Sequence, residues 1–445
     1  MPARASSSAG SASVARRGWD DDARPGIVSV PDEDRGAPGP VPRSSFARYW
    51  AAAAISSFGT AVSAVAMPVL VVQLLAATPA EVGIVNAAQF VPYAVLGLIA
   101  GAYTDRWRRR PILVWSSIGR AVSLGAIPVL WLTGMLEIWM LVVLLLLFGS
   151  FSVFGFAATQ SFLPRLVPRS RLVVANARLD QTDAAAQTVG PALGGGLVGL
   201  LGAPIALLVD AVSYLVDALL NGSIRVDEPR ERRPDRNLLR EIREGLRWAY
   251  AHPTLGPLAV STHVWFFANG IAFTVLSLLA LRSLGFTAFT FGLLLAVSGS
   301  AALLGATFAA RLGSWLGTGP AIIVARAAYP IAWLLVAATA WLSAGPVLLY
   351  MALAIHGLAA GVENANEMGL RQAVTPDALL GRVNANIRSA NRTAAALGAL
   401  AGGAAVGLVG DQWTLVAVMV VFAVAALIAV LSPPLREMRI LPDSD

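Results

Sequence analysis

The sequence predicts an all-α membrane protein with twelve transmembrane helices, and three observations lead to this fold class. Hydrophobic residues make up 56% of the 445 and the mean hydropathy is +0.67, whereas soluble domains are about 45–50% apolar. Apolar runs that can cross roughly 30 Å of hydrocarbon follow one another from about residue 46 to about residue 434. The runs lack the alternation of a membrane β-barrel, so helices rather than strands are predicted.

Each run is a predicted span of roughly 20 residues or more, the length that a helix needs to cross a bilayer. The spans are numbered in chain order and cover roughly 48–75, 80–103, 111–133, 137–161, 176–202, 203–224, 256–282, 287–312, 319–343, 345–370, 384–411 and 412–434. Two of these runs form each predicted hairpin of the fold, and one longer charged segment divides spans 1–6 from spans 7–12.

The spans group into two halves flanked by polar segments. Residues 1–45 are rich in Ser, Ala, Pro, Gly and Arg and predict a disordered cytoplasmic tail. The N-terminal half covers 46–224 and the C-terminal half covers 256–434, followed by a cytoplasmic tail at 435–445. The linker 225–255 contains RNLLREIREGLRWAYAHP, whose apolar spacing predicts an amphipathic helix on the membrane surface.

The distribution of arginine predicts the topology. The chain has no lysine, so its net charge of +7 comes from arginine. The odd-numbered loops between spans carry only Arg282, whereas the even-numbered loops are rich in arginine. The even-loop arginines are Arg106, Arg108, Arg109, Arg110, Arg165, Arg169, Arg171, those from Arg225 to Arg247, Arg311, Arg371 and Arg382. Because arginine-rich loops stay in the cytoplasm, both termini are predicted to lie inside, in a multi-pass protein of the plasma membrane.

An internal repeat relates the two halves. A shift of 208 positions aligns residues 168–203 with 376–411 and keeps five pairs of glycines in register. The pairs are Gly190/Gly398, Gly194/Gly402, Gly195/Gly403, Gly199/Gly407 and Gly202/Gly410. Small residues let helix backbones approach closely in lipid. Two parallel six-helix repeats place a substrate path at their interface, near the bilayer midplane.

Two motifs give the sequence a resemblance to a known family. The turn after span 2, GAYTDRWRRRP, contains Gly101, Asp105, Arg106, Arg109 and Arg110. Span 5 contains Gly190, Pro191, Gly194 and Gly195. The chain resembles the major facilitator superfamily, in particular its drug-efflux branch related to macrolide and siderophore exporters. The first motif departs from the family pattern at Arg108 and the second at Ala186.

The resemblance implies alternating access, with helices 1, 4, 7 and 10 around a central cavity, and its span 5 motif implies export by proton antiport. The resemblance does not name a substrate. The leading hypothesis is export of hydrophobic or amphipathic small molecules, because the aromatic-rich lining suits an apolar ligand. A nutrient or anion importer of the same fold is the alternative, with Arg326 and Arg388 as candidate cations. A membrane enzyme is disfavoured because no Walker, HExxH or GxSxG motif occurs, and a receptor role stays open.

The composition also limits cofactors and partners. The chain has no cysteine and only three histidines, so we expect no metal site and no cofactor. The expected partners are a small-molecule substrate, protons and the lipid bilayer, but not nucleic acid. We expect a monomer.

Ionisable residues inside spans cost about 2.5–3.5 kcal/mol each to insert and therefore need a partner or a purpose. His356, Glu363 and Glu367 share one face of span 10 and are the candidates for proton coupling. The alternative is a structural network in which Glu367 pairs with Arg371, one helical turn away.

Polar and aromatic residues predict the lining of the cavity. The candidates are Ser57, Thr60 and Ser63 on span 1, Phe148 and Phe151 on span 4, and His263, Trp265, Phe267 and Asn269 on span 7. On span 6, Asp210 and Asp217 form a second polar stripe, for which a structural partnership with Arg120 of span 3 is predicted.

Charged residues near the cytoplasmic ends of spans predict a gate. The resemblance implies that spans 2 and 11, and spans 5 and 8, meet there when the protein faces outward. We expect Asp105 to contact Arg382 and Arg388, and Asp180 to contact Arg311, which would hold that side shut. The alternative is that Asp105 only caps its own turn while the neighbouring arginines anchor it in the headgroups.

The topology is testable with fused reporters. A reporter placed after Arg240, in an arginine-rich loop, should be active only in a form that works in the cytoplasm. A reporter at Thr78, in the loop between spans 1 and 2, should behave as external. A cytoplasmic signal at Thr78 would contradict the twelve-span topology.

Overall fold

The computed structural model describes residues 43–226, 238–342 and 345–440, apart from the side chains of 43, 101–106, 169, 238–239 and 378. All regular secondary structure in these ranges is helical. The predicted N-terminal tail and part of the linker lie outside the described residues.

The helices follow the predicted order. Span 1 is Arg43–Val69, which continues into a π-helical turn at Leu70–Leu74. The other spans of the N-terminal half are Pro79–Ala88 with Val91–Arg106, Arg109–Leu132, Ile138–Leu166, Leu172–Leu201 and Ala203–Ser223. The C-terminal half has Leu255–Leu278 with a π-helical turn at Leu279–Ser283, then Ala288–Leu316, Thr318–Trp341, Pro346–Val374 and Asp377–Val430. Leu238–Ala251 forms the linker helix, and the short helix Pro433–Glu437 follows the last span.

Within the described ranges, eleven helical segments are long and apolar enough to cross a membrane. The last, Leu379–Val430, has 52 residues and breaks at Gly410, where φ is +79°. Its repeat partner Gly202 has a φ of +83° and forms the turn between spans 5 and 6. Glycine adopts this left-handed conformation without the strain that a side chain would bring. The two arms of the last segment are therefore spans 11 and 12, and the predicted helical membrane fold is confirmed.

Span 2, predicted as one run, is broken near its middle. The break lies between Ala88 and Val91, just before Pro92, which has no N–H to donate and whose ring excludes the carbonyl of Ala88. The carbonyl of Gln89 at this break packs against span 4, where a methyl group on Gly149 would lie 2.4 Å from it. Pro92 is evident in the sequence, but its effect on the helix depends on how span 2 packs against span 4.

The repeated glycines perform matching tasks inside each half. A methyl group on Gly194 of span 5 would lie 2.8 Å from the Cα of Val62 in span 1. A methyl group on Gly402 of span 11 would lie 2.9 Å from the Cα of Ile271 in span 7. Spans 5 and 11 therefore sit against spans 1 and 7 at distances that only glycine allows.

The next pair of glycines joins the two halves. A methyl group on Gly195 would lie 2.5 Å from the carbonyl oxygen of Ala288 in span 8. A methyl group on Gly403 would lie 2.5 Å from the carbonyl oxygen of Pro79 in span 2. Gly195 thus makes the contact between spans 5 and 8, and Gly403, the equivalent residue of the second repeat, makes the contact between spans 2 and 11.

A seam of glycines and carbonyls continues along spans 5 and 8. Methyl groups on Gly292 and Gly299 of span 8 would lie 2.2 Å and 2.3 Å from the carbonyl oxygens of Pro191 and Gln187. Pro191 has no N–H, so the carbonyl of Gln187, four residues earlier, lacks its helical partner. Gly299 exposes its Cα hydrogens to that carbonyl, and such contacts stabilise helix pairs.

We call the end of the bundle that carries Arg43 the terminal side, and the opposite end the far side. On the far side, the π-helical turns of spans 1 and 7 bond to each other. The Gln73 amide donates to the carbonyls of Leu281 at 3.4 Å and Phe286 at 3.0 Å, and the Arg282 guanidinium donates to the carbonyl of Ala77. The two halves are therefore joined on the far side.

Spans 5 and 8 are not joined in this way on the terminal side. Asp180, Asp183 and Gln187 are exposed along span 5, although lipid does not tolerate a row of polar side chains. Among the described residues, no ion pair joins Asp180 to Arg311, whose guanidinium lies 4.9 Å from the ring centroid of Trp315 on its own helix. Among the described residues, the polar contacts between spans 1 and 7 on the far side therefore have no counterpart between spans 5 and 8 on the terminal side.

The glycine contacts predict how the populations of two states respond to a methyl group. Gly195→Ala and Gly403→Ala should disfavour the far-side-closed state, because the added methyl meets a backbone carbonyl of the other half. A cost of about 1–3 kcal/mol changes a two-state ratio by roughly 5–150-fold. Gly199→Ala and Gly407→Ala are matched controls, because nothing lies within 4 Å of those sites.

Spin-label distances can measure this shift. The chain has no cysteine, so cysteines introduced at Leu74 and Leu284, both exposed on the far side, carry the only labels. The distance between them should widen in the Gly195 and Gly403 variants and stay unchanged in the controls. Equal behaviour of all four variants would contradict the role of these glycines.

Candidate functional site

Arg326 of span 9 is the centre of a polar network buried in the C-terminal half. Its side chain is 0% exposed, although arginine is almost never fully buried unless it is paired. Its guanidinium lies 2.7 Å from Glu363 Oε1 and 3.0 Å from Glu367 Oε2. It also donates to the hydroxyls of Ser261 and Thr262 in span 7, each at 2.7 Å. Arg326 therefore connects spans 7, 9 and 10.

The predicted proton-coupling face of span 10 packs along span 9. Trp333 Nε1 donates to His356 Nδ1 at 3.2 Å, and the rings of Tyr329 and His356 lie 4.9 Å apart. The Tyr329 hydroxyl neighbours Glu363, which in turn contacts Arg326. The side chains of His356, Glu363 and Glu367 were predicted to share one face of span 10. That face packs against a single face of span 9.

The two glutamates differ in how well their oxygens are satisfied. Glu367 Oε2 accepts from Thr262 at 3.0 Å as well as from the shared guanidinium, and its Oε1 lies 3.8 Å from Arg371. The predicted Glu367–Arg371 pair is therefore present, but it is the longer contact. Glu363 Oε2 is buried and makes no well-aligned hydrogen bond among the described residues, and the same holds for the Tyr329 hydroxyl beside this carboxyl. A buried carboxylate oxygen held this loosely is a site where a proton would be favourable.

The N-terminal half holds a second polar network. Arg120 of span 3 lies 3.8 Å from Asp217 of span 6, and its guanidinium lies 4.3 Å from the ring centroid of Tyr214. The predicted partnership with Arg120 is confirmed for Asp217. Asp210 instead accepts a hydrogen bond of 2.5 Å from the Ser63 hydroxyl, so hydroxyl groups stabilise it.

The cavity candidates of the N-terminal half gather beside this network. The Thr60 and Tyr214 hydroxyls lie 2.7 Å apart, and the Phe148 ring meets the Tyr214 ring edge-on at 5.9 Å. Phe151 packs against span 3, and Ser57 is half-buried on span 1. Their contact with a substrate stays a prediction.

The candidates on span 7 fall into two places. His263 bridges the linker helix and span 11, with 2.7 Å to the Tyr250 hydroxyl and 2.6 Å to the Asn391 side-chain oxygen. Phe267 and Asn269 are half-buried. The histidine thus connects three elements at the terminal side, which the sequence alone did not indicate.

Trp265 belongs to an aromatic cluster inside the C-terminal half. Its ring centroid lies 5.5 Å from that of Tyr329, 6.2 Å from that of Phe422 and 6.3 Å from that of His356. Tyr329 and Phe422 are stacked at 5.3 Å. These aromatic contacts surround His356 and hold the span 9–span 10 face in place.

The third histidine, His252, lies outside the spans. Its Nδ1 accepts the backbone N–H groups of Thr254 at 3.3 Å and Leu255 at 3.1 Å. Burial lowers the pKa of His252, so near neutral pH it stays a neutral acceptor at the start of span 7. No group of three or more histidine and acidic side chains in the described ranges is arranged to hold a metal ion.

The gate arginines of span 11 have partners that the sequence did not predict. Arg382 lies 3.4 Å from Glu241 and 3.0 Å from Glu244 of the linker helix. The guanidinium carbon of Arg388 lies 3.7 Å from the ring centroid of Phe156 in span 4. The linker helix, predicted to lie on the membrane surface, therefore also docks its acidic face on span 11.

The side chains of three gate residues lie outside the described ones, namely Gly101, Asp105 and Arg106. The helix register still indicates their level. A methyl group on Gly97 would lie 2.3 Å from the Ser389 hydroxyl. With a rise of about 1.5 Å per residue, the backbone of Asp105 lies about 12 Å nearer the terminal side. Arg382 lies at the same level. The helix register therefore favours the predicted contact of Asp105 with Arg382 over its predicted contact with Arg388.

The arginines that follow this turn lie against their own half. Arg109 is buried, with 8% exposure. Arg110 donates to the carbonyl of Gly222 at the end of span 6. Both side chains thus stabilise the terminal side of the N-terminal half.

Arg326 is the site residue that the sequence indicates least well. The sequence suggests it only as a candidate cation of an importer, and nothing in the sequence singles out Tyr329. One arginine and two glutamates in otherwise uncharged spans signal a pairing, because each is costly alone. The partner could not be chosen from the sequence, since span 10 also offers Arg371 one turn from Glu367.

Comparisons with known proteins agree with the fold. The sequence profile of the family described as transmembrane secretion effector, of the major facilitator superfamily (MFS), matches residues 36–442. The multidrug efflux pump Tap of Mycolicibacterium fortuitum is 28% identical over 404 residues, which cover 87% of this chain and 95% of Tap. The uncharacterized MFS-type transporter YfiS of Bacillus subtilis (strain 168) is 27% identical over 362 residues, which cover 78% of this chain and 84% of YfiS.

Among solved structures, a mutant of the nucleoside transporter NupG has a TM-score of 0.72 at 11% identity, covering 87% of this chain and 100% of that one. At this identity the likeness concerns the fold alone. The family profile covers nearly all of the described residues, and its members are transporters rather than enzymes. The chain therefore belongs to the major facilitator superfamily, in the family described as transmembrane secretion effector, and is a multi-pass secondary transporter.

Proposed function

We propose that this transporter exports hydrophobic or amphipathic small molecules in exchange for protons, by alternating access. The observation that carries the proposal is the buried carboxylate of Glu363, which shares Arg326 with Glu367 and has one oxygen without a well-aligned hydrogen bond, beside the Tyr329 hydroxyl. The similarity to the multidrug efflux pump Tap supports the direction and the substrate class. The glycine-rich span 5 motif, whose resemblance implies antiport, supports the direction as well.

The proton step follows from the charges around Arg326. One buried guanidinium faces two carboxylates, and Arg371 is only a distant second cation at 3.8 Å from Glu367. When Glu363 takes a proton, the pair Arg326–Glu367 becomes neutral by itself. When Glu363 releases the proton, its carboxylate is negative again and competes with Glu367 for the Arg326 guanidinium. Because Arg326 also bonds span 7, each proton transfer changes the forces between spans 7, 9 and 10.

Alternating access requires the halves to separate on one side and join on the other. In this structure the far side is joined through Gln73 and Arg282, and the exposure of Asp180, Asp183 and Gln187 supports an opening on the terminal side. With the orientation expected from the arginine bias, this is an inward-facing state that takes substrate from the cytoplasm. Closing the terminal side would bring Asp180 toward Arg311 and Asp105 toward Arg382, which makes both pairs part of the proposed gate.

The importer alternative loses one of its two candidate cations. Arg326 is fully buried and already neutralised by two glutamates, so it does not offer its charge to an imported anion. Arg388 stays as the other candidate cation, so the choice of export rests on the similarity to the efflux pump Tap and on the span 5 motif.

Substitution of Glu363 tests the proton step. Glu363→Gln keeps an acceptor oxygen for Arg326 but cannot release a proton. We expect proton-driven uphill export of a substrate found by a resistance and accumulation screen to fall at least about tenfold, which corresponds to about 1.4 kcal/mol. Binding of that substrate should change less than about threefold. Proteoliposomes with an imposed pH gradient provide the measurement.

Glu367→Gln is the matched control. Its carboxylate accepts from Arg326 and Thr262, so the variant should melt at a lower temperature. Export should stay pH-driven but need a lower pH, because Glu363 then no longer shares Arg326. Unchanged pH-driven export in Glu363→Gln would remove Glu363 from the mechanism, and His356→Asn would then be the next variant to measure.

A separate substitution tests the gate. Asp105→Asn should insert normally but transport poorly, because loss of ~1–3 kcal/mol from the closed gate shifts the two states by about 5–150-fold toward the inward-facing one. Labels on the terminal ends of spans 2 and 11 should move apart. Lost transport with an unchanged distance would mean that Asp105 only caps its turn.

A further inference from the structure

Span 11 carries two arginines inside its predicted membrane-spanning part. Arg388 and Arg392 lie about 6 Å and about 12 Å beyond residue 384, where that span is predicted to begin, at about 1.5 Å per residue. They are one helical turn apart and therefore lie on one face. Charged side chains at such depth are costly and mark functional positions in membrane proteins.

Both side chains point across the interface to the other half. The guanidinium carbon of Arg388 lies 3.7 Å from the ring centroid of Phe156 in span 4. That of Arg392 lies 5.4 Å from the ring of Phe90 and 5.8 Å from that of Tyr93, at the break in span 2. The interface between two parallel six-helix repeats is where a transporter of this architecture places its substrate path.

These arginines lack the counter-charges that the other intramembrane arginines have. Arg120 and Arg326 each pair with carboxylates of their own half. Among the described side chains, no carboxylate lies within ion-pair distance of Arg388 or Arg392. The charged neighbours of Arg388 include Arg392 and Arg371, both of which repel it.

The backbone of Asp105, whose side chain lies outside the described ones, is level with Arg382 rather than with Arg388 or Arg392. The contact between Gly97 and Ser389 places its backbone about 12 Å toward the terminal side, beside Arg382. A cation–π contact contributes only about 0.5–2 kcal/mol. It leaves the planar set of N–H donors of each guanidinium free at its edge, which suits a carboxylate, sulfonate or phosphate.

We propose that Arg388 and Arg392, with the rings of Phe156, Phe90 and Tyr93, form a subsite for the acidic group of an amphipathic organic anion. The guanidinium edges bind the acid, and the aromatic side chains contact its apolar body. The substrate class of the exporter is thereby narrowed to lipophilic acids. The inference rests on the proposed function only in that a small molecule enters between the halves.

Equilibrium binding tests the subsite without transport. The purified protein in phosphatidylcholine nanodiscs is titrated with 2-naphthoate and with its neutral counterpart 2-naphthamide, and empty nanodiscs give the background. We expect the acid to bind at least about tenfold more tightly than the amide, as a charge-assisted contact provides. Arg388→Gln and Arg392→Gln should each remove most of this preference and leave amide binding unchanged.

Two further variants test whether the preference for the acid has a cause other than the charges of Arg388 and Arg392. Arg436→Gln removes an exposed arginine of the short helix Pro433–Glu437, and it should keep the preference. Phe156→Leu removes the cation–π contact but keeps the charge of Arg388, so it should also keep the preference for the acid. If the arginines only hold span 11 to span 4, Phe156→Leu would instead behave like Arg388→Gln.

The subsite is rejected if the wild-type protein does not prefer the acid, or if both arginine variants keep the preference. Glu363→Gln serves to separate this result from the proposed proton coupling. That variant should bind naphthoate as the wild type does. A protein without acid preference, in which Glu363→Gln still abolishes pH-driven export, would overturn the subsite alone.

Discussion

Charge inside a bilayer has to be neutralised, and this constraint organises the interior of the transporter. Arg326 is fully buried and meets Glu363, Glu367 and two hydroxyls of span 7. An ion pair of this kind adds little to stability compared with an apolar core, but removal of one partner leaves a costly charge. In the proposed mechanism, a single proton on this network therefore changes the forces among three helices.

The two halves share a backbone plan but differ in their charges. The glycines of the repeat make equivalent contacts, with Gly194 and Gly402 inside the halves and Gly195 and Gly403 between them. The buried acids are not equivalent, since Arg120 pairs with span 6 and Arg326 with span 10. Common packing allows both halves to move alike, whereas the charges give only the C-terminal half a glutamate with a free buried oxygen among the described residues.

Much of the fold could be predicted from composition and repeat, because both depend on local properties of the chain. Runs of apolar residues define the spans, and the left-handed turn at Gly202 recurs at Gly410. The polar contacts depended on which helices pack together. The sequence indicated that Glu363 needed a partner, but the choice of Arg326 follows from the packing of span 9 on span 10. The docking of Arg382 on the linker helix likewise requires the tertiary fold.

The central claim is that Glu363 is the group that takes and releases the proton. Infrared difference spectroscopy of the reconstituted transporter, recorded as pH is lowered, detects the C=O stretch of a buried carboxylic acid directly. The account predicts one such band that is absent in Glu363→Gln and present in Glu367→Gln. A band that persists in Glu363→Gln would show that another carboxyl carries the proton and would contradict the account.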